Sequence, residues 1–170
     1  MKLDAEKLDW QCCAWDELST AQLHDALRLR CEIFIHEQGD PYCDIDGNDP
    51  HALHLLGYYK GTLIAYGRLI LPGVKRAEAV LGRLCIAKEH RHGKIGTNVM
   101  LMLLKRLQDF APDADVYGYT QTYWARGVLA MGAVPISSPM SKSRIEHIEV
   151  VIKADKIHEL LAALPEGIKV

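Results

Sequence analysis

Residues 91–110 run from a loop into a helix whose apolar stripe is Ile95, Val99, Met102, Leu103, Leu107 and Phe110. Apolar runs at 80–86 and 116–121 flank this segment and read as strands, so the order is strand, helix, strand. Ahead of it, runs at 54–59 and 63–71 enclose Lys60-Gly61-Thr62, which signals a hairpin. A hairpin followed by a β-α-β unit calls for a mixed sheet with helices on its faces. That is an α/β fold.

Helical spacing also covers residues 20–34, capped by Ser19 or Thr20, where Leu23, Ala26, Leu27, Cys31 and Phe34 recur. Residues 36–51 are polar, hold two prolines and two glycines, and read as a loop. A short helix at 124–131 ends at Gly132, a last strand occupies 145–153, and 154–164 form a C-terminal helix. The sequence shows no repeat and no Ser/Gly/Pro linker. Its 170 residues fit one domain, large enough to bury roughly 70% of the unfolded surface.

The composition, 49% hydrophobic and 25% charged, is ordinary for a globular protein. A formal net charge of −2 gives no global pull on nucleic acid, so any anion site must be built locally. The N-terminus carries acids without the apolar stretch of a secretory signal, and the apolar run 99–104 is far too short to cross a bilayer. Five cysteines, with Cys12 and Cys13 adjacent and no C-x-x-C pair, point to reduced thiols in a cytoplasmic protein. His24, His36, His51, His54, His90, His92, His147 and His158 lack zinc-ligand spacing, and no metal is expected. The segment from Asp44 to Asp49 is close to a calcium loop, but its glycine stands fourth where the sixth place is required.

The most informative stretch is Leu84-Cys85-Ile86-Ala87-Lys88-Glu89-His90-Arg91-His92-Gly93-Lys94-Ile95-Gly96-Thr97. A strand ends, two glycines punctuate a short loop, and a long amphipathic helix begins. Amide groups at a helix start lack intrahelical partners, and the macrodipole adds partial positive charge there. Gly93 and Gly96 allow close approach of an anion, and Lys88, Arg91 and Lys94 concentrate charge around it. The combination suits a pyrophosphate. It is neither G-x-G-x-x-G nor a Walker A loop, which disfavours a dinucleotide or ATP.

Arg91-His92-Gly93-Lys94-Ile95-Gly96 after Leu84-Cys85-Ile86 resembles the acyl-CoA motif of the GCN5-related N-acetyltransferases (GNAT). Arg91 and Gly96 match that motif, while Lys94 stands where glycine is usual and Gly93 one place early. A second segment, from Leu29 to Gln38 and on through Pro41-Tyr42-Cys43-Asp44-Ile45-Asp46-Gly47, is similar to the ElaA-like branch of the same family. The resemblance extends from about residue 18 to residue 151, and it implies a GNAT domain over 10–155 with the C-terminal helix, 156–170, packed on or extending it. It also implies a central sheet in which the strand 80–86 splays from 116–121. Acetyl-CoA would lie in the gap, its pantetheine on the backbone of Leu84, Cys85 and Ile86 and its pyrophosphate on the loop from Arg91 to Thr97. The expected reaction moves an acetyl group directly to a primary amine of a small molecule or peptide. The sequence does not fix an oligomeric state, and a homodimer is compatible with it.

Aminolysis of a thioester needs a neutral amine, an oxyanion partner and a proton for the leaving thiolate. Glu37 is the first candidate base, unless it pairs structurally with Arg30; His147, in the last strand, is the second. Asp40, Asp44, Asp46 and Asp49 form an acidic loop able to attract a cationic acceptor, with Arg30 placed beside it by the resemblance. The family's usual acid, a tyrosine, falls at Gly127-Val128, and Tyr123 one turn earlier is the candidate substitute. Cys85 is expected at the strand edge facing the proposed thioester, where an acyl-cysteine route would start, but no histidine at helical or adjacent spacing supports it. Two other readings share the fold: a non-catalytic acyl-CoA-binding domain, and synthesis of acyl-homoserine lactones.

Overall fold

The computed structural model describes residues 5–39, 42–91, 93–141 and 144–164. Lys60 and Gly61 both take positive φ, 50° and 78°, the conformation of a two-residue hairpin turn whose twist matches that of its strands. They join β2 (Ala52–Tyr59) to β3 (Thr62–Ile70), with Tyr59 opposite Thr62. Further strands are β1 (Asp9–Cys13), β4 (Ala79–Ile86), β5 (Val116–Gln121), β6 (Val134–Pro135), β7 (Met140–Ser141) and β8 (Glu146–Ile152). They form one sheet in the order β1-β2-β3-β4-β5-β8-β6, with β7 also on β8. The β4–β5 pair is parallel and the others are antiparallel, so the expected mixed sheet is found. Strands β1, β6 and β7 were not foreseen from the sequence.

Two helices cover opposite faces of the sheet. The alternation of Leu55 and Leu56 sends the first into the layer under α2 (Ile95–Leu107) and the second under α1 (Thr20–Arg30). Ser19 caps α1, accepting from the Gln22 amide while the Gln22 side chain accepts from the Ser19 amide. The α2 stripe packs so closely on β3 that a Cβ on Gly67 would stand 2.5 Å from Val99 Cγ1 and 2.9 Å from Leu103 Cδ1. Phe110 does not join that stripe; α2 ends at Leu107, and Phe110 is exposed beneath the Arg106 guanidinium. Two more helices, α3 (Thr122–Ala130) and α4 (Ala154–Ala162), complete the order.

The helix expected over 20–34 is α-helical only through Arg30. From Cys31 to Glu37 the chain widens into a π-helix, closed by the Gln38 amide donating to the Ile33 carbonyl at 3.0 Å. Wide turns of this kind recur at functional sites. Here Arg30 is fully buried while Glu37 and Gln38 reach the edge of the neighbouring strands.

Candidate active site at the splayed strands

The parallel pairing of β4 and β5 stops after three positions, at Leu81 opposite Gly118. Beyond it β4 bulges: its register on β3 jumps from Gly82 opposite Arg68 to Cys85 opposite Tyr66, and Arg83 takes φ of 53°. A bulge bends its strand and adds twist. Leu84, Cys85 and Ile86 thus run on without β5 as a ladder partner, and a V-shaped gap opens between the two strands. This is the splay expected from the resemblance.

The loop at the top of β4 turns through Lys88–His90 and Gly93, at φ of 95°, into α2. The Asn98 amide makes the first helical hydrogen bond, to the Lys94 carbonyl at 2.9 Å, so the amides of Ile95, Gly96 and Thr97 precede the ladder. A Cβ on Gly96 would meet Leu84 Cδ2 at 3.7 Å, an ordinary contact, so the protein itself leaves room there. Lys88 and Lys94 are exposed around these donors. The arrangement fits a phosphate-bearing cosubstrate. His92, expected in the same cradle, lies outside the described residues.

Arg91 ties this loop to the end of the π-helix. Its Nε donates to the Ile86 carbonyl at 2.9 Å, and its two terminal nitrogens form a fork on the Glu37 carboxylate at 2.5 and 2.8 Å. The partner of Glu37 is therefore Arg91 and not Arg30. Those hydrogen bonds, helped by the charges of Arg91 and Lys88, hold the Glu37 carboxyl below the usual glutamate range against the opposing effect of burial. A carboxylate so engaged is a poor proton acceptor while the pair lasts.

The β5 arm of the gap is reached by the adjacent residue. Gln121 Nε2 donates to Gln38 Oε1 at 3.0 Å. His147 stands directly opposite Gln121 on β8, so the two side chains share one face of the sheet. The His147 ring stacks on Tyr119, with centroids 4.5 Å apart and planes within 6°. Its Nδ1 lies 2.7 Å from the Ile145 carbonyl. A carbonyl only accepts, so Nδ1 carries the proton and Nε2 is the acceptor nitrogen of the neutral ring. Tyr123, 64% exposed in the first turn of α3, is close enough to Arg91 for its charge to be felt. Val128, at the usual tyrosine position, packs against the main core.

The acidic loop differs from the sequence expectation. Asp44 and Asp49 bind Arg30, Asp46 and Asp49 bind Arg68, and Asp44 and Asp46 bind Arg83, all at 2.6–3.3 Å. Three guanidiniums thus balance three carboxylates. Burial opposes the charge on Asp46 and Asp49, yet hydrogen bonds from Arg68 and Arg30 outweigh it and keep both well below the usual aspartate range. Arg30 is therefore bound to Asp44 and Asp49, and Asp46 to Arg68 and Arg83, so these carboxylates do not form a bare anionic surface; Asp40 lies outside the described residues. His54 extends the network as a neutral ring, donating from Nε2 to the Asp49 carbonyl and accepting the Tyr66 hydroxyl at Nδ1. Sequence reasoning missed Arg68 and Arg83. The signal was present: a cation inside the apolar run 63–71 has to find a buried partner.

Cys85 is also placed differently. Its side chain lies in the α1 layer among Leu29, Phe34 and Tyr66, and burial pushes its thiol far up. No thiolate faces the gap from this position. Among the described residues no group of three or more His, Cys, Asp or Glu could hold a metal ion, and no helix is long and apolar enough to cross a membrane.

A sheet split between a bulged strand and its parallel neighbour, with free helix-start amides at the top of the split, defines an acyl-CoA-dependent transferase fold. The sequence profile of the acetyltransferase (GNAT) family matches residues 14–122, and the chain belongs to that family. It is 32% identical to protein ElaA of Escherichia coli K12 over 143 residues, covering 83% of this chain and 94% of that one. The crystal structure of E. coli ElaA superposes with a TM-score of 0.81 at 30% identity, covering 86% and 99% of the two chains. An acyl-CoA N-acyltransferase from Pseudomonas aeruginosa gives a TM-score of 0.80 at 29% identity, covering 85% and 99%. A CoA-dependent acyl-homoserine lactone synthase, MesI, shares the fold at 16% identity, with a TM-score of 0.68 and 92% and 97% covered.

Proposed function

We propose that the protein transfers the acetyl group of acetyl-CoA to a primary amine of a small molecule or peptide, by direct attack. The observation that carries this reading is the gap between β4 and β5 beneath the unpaired amides of α2. The backbone of Leu84, Cys85 and Ile86 would hold pantetheine. Arg91, His92, Gly93, Lys94, Ile95, Gly96 and Thr97 would hold the pyrophosphate, mostly through amides at the helix N-terminus. The thioester supplies an activated acyl carbon. The amine nitrogen forms the new C–N bond, the C–S bond breaks, and the thiolate leaves with a proton.

On this reading the Glu37 carboxylate attracts and orients the acceptor ammonium, and His147 Nε2 takes its proton. Glu37 was the first candidate base by sequence; its fork with Arg91 moves the base role to His147. Tyr123 would return a proton to the thiolate, standing in for the tyrosine usual at the position of Val128. Arg30, Asp44 and Asp46 shape the acceptor loop without contacting the acceptor. The cytoplasm, where acetyl-CoA and reduced thiols coexist, is the compartment this chemistry fits.

Val128 favours one other reading, a domain that binds acyl-CoA without turning it over. Incubating the protein with acetyl-CoA and a panel of amines, and following free thiol, separates the two. Amine-dependent thiol release supports the transferase; tight CoA binding with no release under any amine overturns it. The fold shared with acyl-homoserine lactone synthases does not by itself choose an acceptor.

A further inference from the structure

We infer that Arg91 is a positioning residue that couples the two substrate sites, so that acyl-CoA binding releases Glu37 for the acceptor. The inference rests on the acyl-CoA reading above and concerns this chain's own residues. Arg91 makes three contacts: one on the Ile86 carbonyl and two on Glu37. Both of its partners are wanted elsewhere during turnover. The Ile86 carbonyl belongs to the strand edge assigned to pantetheine, and the Glu37 carboxylate to the ammonium. Arg91 itself sits at the entrance of the cradle assigned to a pyrophosphate.

The balance of charge gives the direction. A half-exposed fork of this kind, with the two side chains 28% and 32% exposed, is weakly held in water. A pyrophosphate brings more negative charge than one carboxylate and is itself a strong guanidinium partner. It therefore competes with Glu37 for Arg91. Once Arg91 turns to the phosphates, Glu37 loses its hydrogen-bonded cation and keeps the weaker influence of Lys88. An ammonium then fills the vacancy. Acyl-CoA binds first, the amine second, and the acceptor side stays neutralised until the donor is in place. Linkage requires the reverse effect as well: whatever strengthens the hold of Glu37 on Arg91 weakens CoA.

The test is a double-mutant cycle on CoA binding in the full chain, measured by calorimetry with coenzyme A alone. Glu37→Gln removes the competitor without changing shape, and CoA should bind about three- to fivefold more tightly, the upper part of the range set by a partly exposed ion pair. In an Arg91→Gln background the same substitution should change CoA affinity by less than about twofold. A second readout is the carboxyl carbon resonance of Glu37: its titration midpoint should move up toward the ordinary glutamate range when CoA is saturating. Unchanged or weaker CoA binding in Glu37→Gln overturns the inference, as does equal tightening in both backgrounds, or an unmoved midpoint. Gly96→Val serves as the control for the underlying reading. If it still weakens CoA while Glu37→Gln does nothing, the cradle stands and only the coupling fails. If Gly96→Val also has no effect, the cradle itself is misplaced.

Discussion

One arginine–carboxylate cluster lies beneath the loop that includes Asp44–Asp49, and another at the mouth of the β4–β5 gap. Their contact distances are alike, 2.6–3.3 Å in the first and 2.5–2.8 Å in the second. They differ in access to water. In the loop cluster the side chains are at most 20% exposed, whereas Arg91 and Glu37, which pair with each other, are 28% and 32% exposed. Removing one member of the first cluster strands another charge in a dry place, where no solvent can replace the lost partner. Removing one member of the second leaves a charge that water can serve. The first is a permanent brace and the second an exchangeable contact.

The largest expected effect tests that brace. Asp49→Ala deprives both Arg30 and Arg68 of a shared acceptor and should cost about 3–5 kcal/mol in urea unfolding, the range for a broken buried pair. Arg91→Ala should cost about 1 kcal/mol or less. Equal losses would erase the distinction. Acid should separate the clusters again. Asp46 and Asp49 have depressed folded values, so their stabilisation is complete above the ordinary aspartate pKa and is lost as pH falls from there toward those values. Stability should therefore decline below about pH 4, and the decline should be shallower in Asp49→Asn. An equally steep acid limb in that variant would remove Asp49 from the account.

Three smaller effects probe the mouth. His147→Gln should lower kcat about 10²-fold with little change in CoA affinity, and an unchanged acid limb of kcat/KM would clear His147 as the base. Gly96→Val should weaken CoA about tenfold, because a Cβ there makes only an ordinary contact in the free protein while the branched side chain stands in the path of an approaching anion. Tyr123→Phe should lower kcat only about three- to tenfold, since an exposed phenol shares its task with water. Loss of CoA binding in that last variant would assign Tyr123 to the cosubstrate instead.

The hairpin and the crossover helix were legible in the sequence because each follows from local period, while the splay was expected only from the family resemblance. Residues 54–59 and 63–71 became β2 and β3 with ends shifted by one or two residues. The change from α to π winding after Arg30 was not legible, since Cys31 and Phe34 continue the apolar spacing through it. Strand β1 escaped notice because Asp9–Cys13 is polar at four of five positions if cysteine counts as polar, and its pairing with β2 is long-range. The acceptor loop was read as open acid because Asp44, Asp46 and Asp49 are neighbours in sequence, while two of their three partners, Arg68 and Arg83, arrive from strands. Charge balance is a property of the folded neighbourhood, and a window on the chain does not contain it.

Gly67 gives the molecule a gauge. Val99 and Leu103, about one and two turns into α2, rest where a methyl group on that strand residue would be. Any larger residue would act as a shim under the middle of a rod whose near end carries the amides of Ile95, Gly96 and Thr97. Lifting the rod there swings its tip away from β4 and widens the slot between tip and strand. The seating of α2, and with it the position of the amides at its start, thus depends on the absence of one carbon atom on β3.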